Sequence, residues 1–181
     1  MKVTAIAGGV GGAKLIAGLA NCLAPEDLTI IVNTGDDFDF LNLRICPDVD
    51  TICYTLAGIS NPETGWGLKD DSHNALSYIK YLGGPDWFNL GDKDLGTHIE
   101  RTRRIRNGDS LSQVIHHFCQ AWGIKFNILP MSDDNVSTMV NTLREGDLSF
   151  QEYFVKNKCT PIIRKIWFNG IETAKPAPGV L

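Results

Sequence analysis

The sequence contains no Cys-x-x-Cys pair, no Gly-Lys-Ser or Gly-Lys-Thr triplet, no internal repeat and no apolar run long enough to cross a membrane. The first absence argues against a paired-thiol redox centre or a zinc ribbon. The five cysteines (Cys22, Cys46, Cys53, Cys119 and Cys159) are scattered and odd in number, which reads as reduced, mostly buried thiols in a cytoplasmic protein. The second absence removes the Walker phosphate loop. Lys2 ahead of Val3–Ala7 imitates the start of a signal peptide, but that run is too short for a secretory core and breaks at once into glycines. Positive charge is scarce as well. With 17 Lys and Arg against 21 Asp and Glu, the net charge of −4 gives no electrostatic reason to expect a nucleic-acid partner, and no run suggests a membrane. A small anionic ligand held by a few local cations stays open.

What is present suits one α/β domain over residues 1–181, with 43% hydrophobic residues to build its core. Met1 to Ala7 reads as a buried strand, and Gly8-Gly9-Val10-Gly11-Gly12-Ala13-Lys14 as the loop after it. Leu15, Ile16, Leu19 and Leu23 then recur at helical spacing up to Pro25, and Leu28–Val32 makes a second strand. Strand, glycine loop, helix and strand predict the opening βαβ unit of a Rossmann-like, doubly wound, mostly parallel sheet. Small residues let backbone N–H groups approach an anion, and a helix N-terminus offers a positive dipole end. Gly8, Gly9, Gly11, Gly12 and Lys14 are therefore candidates for phosphate binding, although a tight turn needed for packing would use the same glycines.

The stretch from Asn33 to Thr51 follows strand two and carries Asp36, Asp37, Asp39, Asp48 and Asp50. Loops at the carboxyl ends of strands hold the sites of α/β proteins, and carboxylates so crowded need cations, hydrogen bonds or solvent. Asp48 and Asp50 fall at the start of a helix running to Ala57, where an N-cap is the alternative role. Downstream, Asn61–Gly67 is a surface loop, Ser72 caps a helix carrying Leu76, Ile79 and Leu82, and Trp87–Leu90 reads as a short strand or extended lead-in to Gly91-Asp92-Lys93-Asp94. The next helix sets Leu95, Ile99, Thr102 and Ile105 on one side, leaving His98, Arg101, Arg103, Arg104 and Arg106 on its other faces. That cluster is either a solvated basic face or the source of Arg101 and Lys93 as anion contacts at the carboxylate loop. Ser110 caps an amphipathic helix, whose His116 and His117 read as surface residues rather than metal ligands. A strand over Lys125–Leu129 breaks at Pro130-Met131-Ser132-Asp133-Asp134, putting Ser132 and Asp133, with Thr138, at the same crevice or making them caps of the next element. Leu148–Val155 reads as a short helix or turn, and Pro161–Phe168 as strand-like.

Taken in order, these segments resemble the 2-phospho-lactate transferases of coenzyme F420 biosynthesis. The motifs are Gly8 to Leu15, Asn33-Thr34-Gly35-Asp36-Asp37, Pro47-Asp48-Val49-Asp50-Thr51, Gly65-Trp66-Gly67, Leu90 to Asp94, His98 to Thr102, Ile128 to Asp134 and Phe150-Gln151-Glu152-Tyr153. The resemblance implies a Rossmann-like enzyme that uses magnesium to move a phospho-lactyl or phospho-enolpyruvyl group from a guanosine-diphosphate-linked donor to the ribityl hydroxyl of the deazaflavin Fo, releasing GMP. It implies Asp48 and Asp50 for the metal or the Fo hydroxyl, and Asp50 and Lys93 as Fo contacts. No Ser-His or Cys-His pair is evident, so direct attack by the hydroxyl is expected, with one of those aspartates positioning it or accepting its proton. Asn33, Thr34, Asp36, Asp37, Arg101 and Ser132 complete the residues expected around the ligands. Family members continue into a Pro-Ser-Asn-Pro type segment that shapes the nucleotide site, and this chain stops at Leu181 before it. The resemblance therefore implies an N-terminal part of the family's length that binds guanosine poorly and can be inactive alone; a homodimer is expected on base rates.

Two other readings compete. A nucleotide-sugar or dinucleotide-binding regulatory protein of the related gluconeogenesis-factor family would share the glycines and aspartates, but Pro-Asp-x-Asp-Thr, Trp66 and Gly91 to Asp94 favour the transferase. A generic NAD-binding module is opposed by Lys14 where a small residue belongs, and by the lack of a single acidic residue ending strand two.

Overall fold

The computed structural model describes every residue from Met1 to Leu181. In chain order its first half contains β1 (Val3–Ala7), α1 (Gly9–Cys22), β2 (Leu28–Val32), β3 (Phe38–Phe40), β4 (Leu43–Ile45), α2 (Pro47–Leu56) and α3 (Asn74–Tyr81). The second half adds α4 (Asp92–Arg106), α5 (Leu111–Ala121), β5 (Asn127–Pro130), β6 (Ser137–Thr142), β7 (Asp147–Ser149) and β8 (Ile163–Asn169). The α/β class and the parallel sheet expected from the sequence are both present. β1, β2 and β5 run parallel in that order, with Ala7 beside Val32 and Val32 beside Pro130. This register brings the segments after Ala7, Val32 and Pro130 to one end of the sheet, where parallel α/β folds place their sites. Side chains alternate with the pleat: Ala5, Ala7, Leu28, Ile30 and Val32 enter a core shared with Ile16 of α1, Ile52 of α2 and Ile115 of α5. Each fully buried aliphatic side chain there contributes about 1.5–3 kcal/mol. The opposite face of β1 is bare, with Ile6 80% exposed.

Three local readings are corrected. α1 begins at Gly9, so the glycine stretch is not a loop ahead of the helix but its first turns; Gly8 alone is extended, and Gly9 has φ +63°. Close packing accounts for Gly12, where a Cβ would sit 3.2 Å from that of Ala7. The acidic stretch is not all loop either. It contains the β3–β4 hairpin, turned by Leu41 and Asn42 at φ 53° and 59°, with Phe38 and Phe40 joining Ile45, Leu76 and Leu90 in a second small core. Finally, Trp87–Leu90 forms no strand, whereas Ser137–Thr142 is the centre of an antiparallel β7-β6-β8 sheet.

Candidate active site

At the carboxyl end of the parallel sheet lies a cleft of about 550 Å³. Part of its lining is aromatic (Trp66, Trp87, Phe88, Phe150 and Phe154), and part is acidic (Asp36, Asp48, Asp50 and Asp94). The Phe150 and Phe154 rings lie parallel, 5.6 Å apart with 9° between planes, and Lys156 Nζ stands 5.8 Å over Trp87. The acidic part is built on α2. Pro47 pre-sets the first helical turn, and Asp48 and Asp50 in that turn are favoured by the dipole of the helix N-terminus. The N-cap residue is Cys46 and no side chain makes a cap bond, so neither aspartate is used as a cap.

Asp48 and Asp50 have different surroundings. Asn33 Nδ2 donates to Asp48 Oδ2 at 2.9 Å, while Asn33 Oδ1 accepts from the Gly35 N–H at 2.9 Å. A Cβ on Gly8 would stand 2.5 Å from Asp48 Oδ2, so glycine there is what lets the carboxylate lie against β1's end. Asp36 is close enough to feel it: burial, then the charge of Asp48, pushes the Asp36 pKa up to about 6, against a hydrogen bond from Thr138. Asp50, by contrast, is paired. Arg101 Nη2 donates to Asp50 Oδ1, and the whole Arg101 side chain is buried. Arg101 Nη1 donates to the Arg44 carbonyl at 3.2 Å and meets His98 Nδ1 at 3.0 Å. His98 Nε2 lies 3.4 Å from Asp94 Oδ1, which also accepts from the Tyr54 hydroxyl at 2.7 Å.

Burial raises the Asp50 pKa despite the opposing charge of Arg101. For Asp94 burial also pushes upward, but the contact with His98 and the hydrogen bond from Tyr54 outweigh it and hold Asp94 low. Asp50 Oδ2, although buried, has no hydrogen-bond partner. Asp50, Asp94 and His98 each offer one ligand atom within 4.8 Å of the others, yet Arg101 already balances Asp50, which makes the set an ion network better than a cation nest. Beneath it, Asp37 is buried with both carboxylate oxygens unbonded and Arg44 Nη2 at 3.6 Å; burial raises its pKa to about 7, opposed first by Arg44.

Of the residues singled out from the sequence, Gly9, Asp36, Asp48 and Asp50 line the cleft, with Gly8 and Asn33 directly behind Asp48. Gly11 and Lys14 are exposed in the first turns of α1, so Lys14 does not stand at a helix N-terminus. Thr34 and Asp37 are buried below the cleft, and the Ser132 hydroxyl instead donates to the Lys175 carbonyl at 2.6 Å, fixing the last segment to β5. Lys93 does not face Asp48–Thr51. The Asp71 carboxylate accepts from the N–H groups of Lys93 and Asp94, which starts α4 so that Asp94, His98 and Arg101 share the inner face. Lys93 is left exposed, its Nζ donating to the Asp70 carbonyl at 3.1 Å. Of the two readings of the basic cluster, the solvated face does not hold for His98 and Arg101: both are buried, Arg101 at the Asp50 carboxylate, and Ile99 is 51% exposed. The buried charges of α4 meet partners on α2, Arg101 at Asp50 and Asp94 at the Tyr54 hydroxyl. Sequence reasoning missed Asp94, His98, Tyr54 and the aromatic lining as site residues. The one available signal was the spacing of Asp94, His98 and Arg101, which is the i, i+4, i+7 stripe of a helix.

The family model of the 2-phospho-L-lactate transferase CofD matches residues 3–181. A phosphoenolpyruvate transferase of Kitasatospora aureofaciens is 44% identical over 186 residues, spanning 100% of this chain and 58% of the relative. A phosphoenolpyruvate transferase of Mycobacterium sp. (strain KMS) is 38% identical over 199 residues, spanning 99% of this chain and 60% of the relative. The chain thus spans 58–60% of the length of these two relatives. A solved protein of the UPF0052 family from Bacillus halodurans matches in fold, with TM-score 0.60 and 17% identity over 98% of this chain and 54% of that one. With a family match over nearly its whole length and relatives of such identity, the chain belongs to the CofD family of 2-phospho-L-lactate transferases.

Proposed function

We propose that this chain carries the acceptor cleft of a transferase in coenzyme F420 biosynthesis. The enzyme moves a phospho-enolpyruvyl or phospho-lactyl group from a guanosine-diphosphate-linked donor to the ribityl hydroxyl of Fo and releases GMP. The observation that carries this reading is Asp50 Oδ2, a buried and unpartnered acceptor at a cleft lined in part by aromatic side chains. A flat deazaflavin buries its rings against side chains such as Trp66, Trp87 and Phe88, and a cleft of about 550 Å³ is the size for a ligand of that class. Asp50 then accepts the hydroxyl proton, helped by the upward pull of burial on its basicity. The hydroxyl oxygen attacks the phosphorus that bears the three-carbon acid, the bond from that phosphorus to the GMP oxygen breaks, and GMP leaves with the electron pair. The names of the relatives favour the enolpyruvyl unit.

Magnesium fits the other half of the site. Asp36 and Asp48 are neighbouring carboxylates without an ion-pair partner, and the charge of Asp48 already raises the Asp36 pKa. A hard divalent cation with one or two carboxylates, water and ligand oxygens suits such a pair, and when bound it neutralises charge on the diphosphate. Because Arg101 holds Asp50, the metal role expected of Asp48 and Asp50 together is proposed for Asp48 with Asp36. No helix is long and apolar enough to cross a membrane, and the five free thiols support a reducing cytoplasm. Titrating the chain with Fo and following its fluorescence tests the acceptor reading. Saturable binding is expected, and its absence in the wild-type chain would sink the proposal. GMP release with Fo, magnesium and each candidate donor then identifies the three-carbon unit.

A further inference from the structure

The buried polar side chains of α2 and α4 form an open series of close contacts. It runs from Asp50 to Arg101, His98, Asp94 and Tyr54, and Tyr54 stands one helical turn after Asp50 on α2. A guanidinium only donates, so at the 3.0 Å contact with Arg101 Nη1 the His98 Nδ1 must be the acceptor. The ring proton therefore sits on Nε2, 3.4 Å from Asp94 Oδ1. We infer that His98 and Asp94 are positioning residues for the acceptor chemistry: the nearby Asp94 carboxylate favours the proton on Nε2, and the His98 lone pair fixes the plane of Arg101. The inference rests on the role of Asp50 proposed above.

Arg101 is planar, and its Nη1 is claimed by the Arg44 carbonyl and by His98 Nδ1. With that end fixed, Nη2 reaches Asp50 Oδ1 alone and Oδ2 is left unbonded. Arginine otherwise tends to take a carboxylate with both prongs of its fork. Without the lone pair on His98, the guanidinium is free to turn and engage both oxygens of Asp50. Oδ2 would then no longer be available to a substrate hydroxyl. Neither His98 nor Asp94 has to touch the acceptor's reacting atoms for this effect.

Two substitutions separate the two ring nitrogens. His98→Asn places a side-chain oxygen near the position of Nδ1 and keeps an acceptor for Arg101; His98→Gln places an amide nitrogen near Nε2 and loses that acceptor. Fo titration is expected to show the Asn variant within about 3-fold of wild type and the Gln variant weakened by about 10-fold, with similar melting temperatures. Equal losses in both variants that track their melting temperatures would assign His98 a structural role only and overturn the inference. Nitrogen-15 NMR of the histidine-labelled wild-type chain gives an independent readout. The resonances lost in His98→Asn must report a proton on Nε2 and none on Nδ1, and the opposite tautomer overturns the inference. If wild type fails to bind Fo, the acceptor reading falls while the NMR still decides the tautomer. If wild type binds Fo and His98→Gln binds it equally well, the positioning role falls and the acceptor reading stands.

Discussion

Two carboxylates in one helical turn, Asp48 and Asp50, meet opposite electrostatics. Asp48 sits among glycines, the Asn33 amide and Asp36, and has no cation beside it. Asp50 meets Arg101, a cation supplied by the fold and buried with it. Side chains two positions apart on a helix leave in different directions, so one turn of α2 presents two electrostatic environments. The Asp48 side is a place where a soluble cation would relieve repulsion. On the Asp50 side the repulsion is already relieved, and what remains is a single free acceptor oxygen.

Asp50→Asn tests the second side most severely, because it removes the proposed proton acceptor: turnover is expected to fall by about 100-fold or more in a GMP-release assay. Near-wild-type turnover would break the assignment. Arg101→Met strands the Asp50 carboxylate in the interior, and urea denaturation should show a loss of about 3–5 kcal/mol. A loss below about 1 kcal/mol, the range of surface pairs, would mean that the pair is not buried in solution. On the other side, Asp48→Asn should abolish magnesium binding measured by calorimetry, whereas unchanged binding would return the metal to another set of ligands.

Proton linkage offers a subtler contrast. The folded-state pKa of Asp37 is raised to about 7 from an ordinary 3.8, so between those values the folded chain holds more protons than the unfolded one. Stability is therefore expected to decline as pH rises through that window. Asp37→Asn should flatten that part of a melting-temperature profile, and an unaltered slope would assign it to other groups. Lys14→Ala carries the smallest expected effect. Lys14 is exposed on the second turn of α1, so its removal should leave stability within about 0.5 kcal/mol and the affinity for the diphosphate donor unchanged. A large loss of donor affinity would restore the anion role read for it from the sequence.

The parallel strands were legible because Val3–Ala7 and Leu28–Val32 are short apolar runs bounded by turn residues. α5 was legible through its start, where Ser110 and Gln113 form the reciprocal cap expected of such a pair. The hairpin was not, since Leu41 and Asn42 adopt left-handed backbone without the Asn-Gly or Asp-Gly signal. β6 hid for a similar reason: Ser137-Thr138-Met139-Val140-Asn141-Thr142 lacks an apolar alternation. In α4 the usual rule failed outright. Hydrophobic spacing singles out the side with Leu95, Ile99 and Ile105, yet the inner face carries Asp94, His98 and Arg101, because Tyr54 and Asp50, which meet Asp94 and Arg101, lie on α2, 40 or more residues earlier in the chain. Asp48 and Asp50 were found by their residue type and place at a strand's carboxyl end, but only the geometry separated their surroundings.

In the proposed function the acceptor depends on the Asp50 side and the metal on the Asp48 side. Fluorescence titration of Fo into Asp50→Asn and Asp48→Asn, side by side and without magnesium, separates the two. An affinity about 10-fold or more weaker is expected for Asp50→Asn and one close to wild type for Asp48→Asn. The reverse order, with Fo lost from Asp48→Asn and retained by Asp50→Asn, would contradict it.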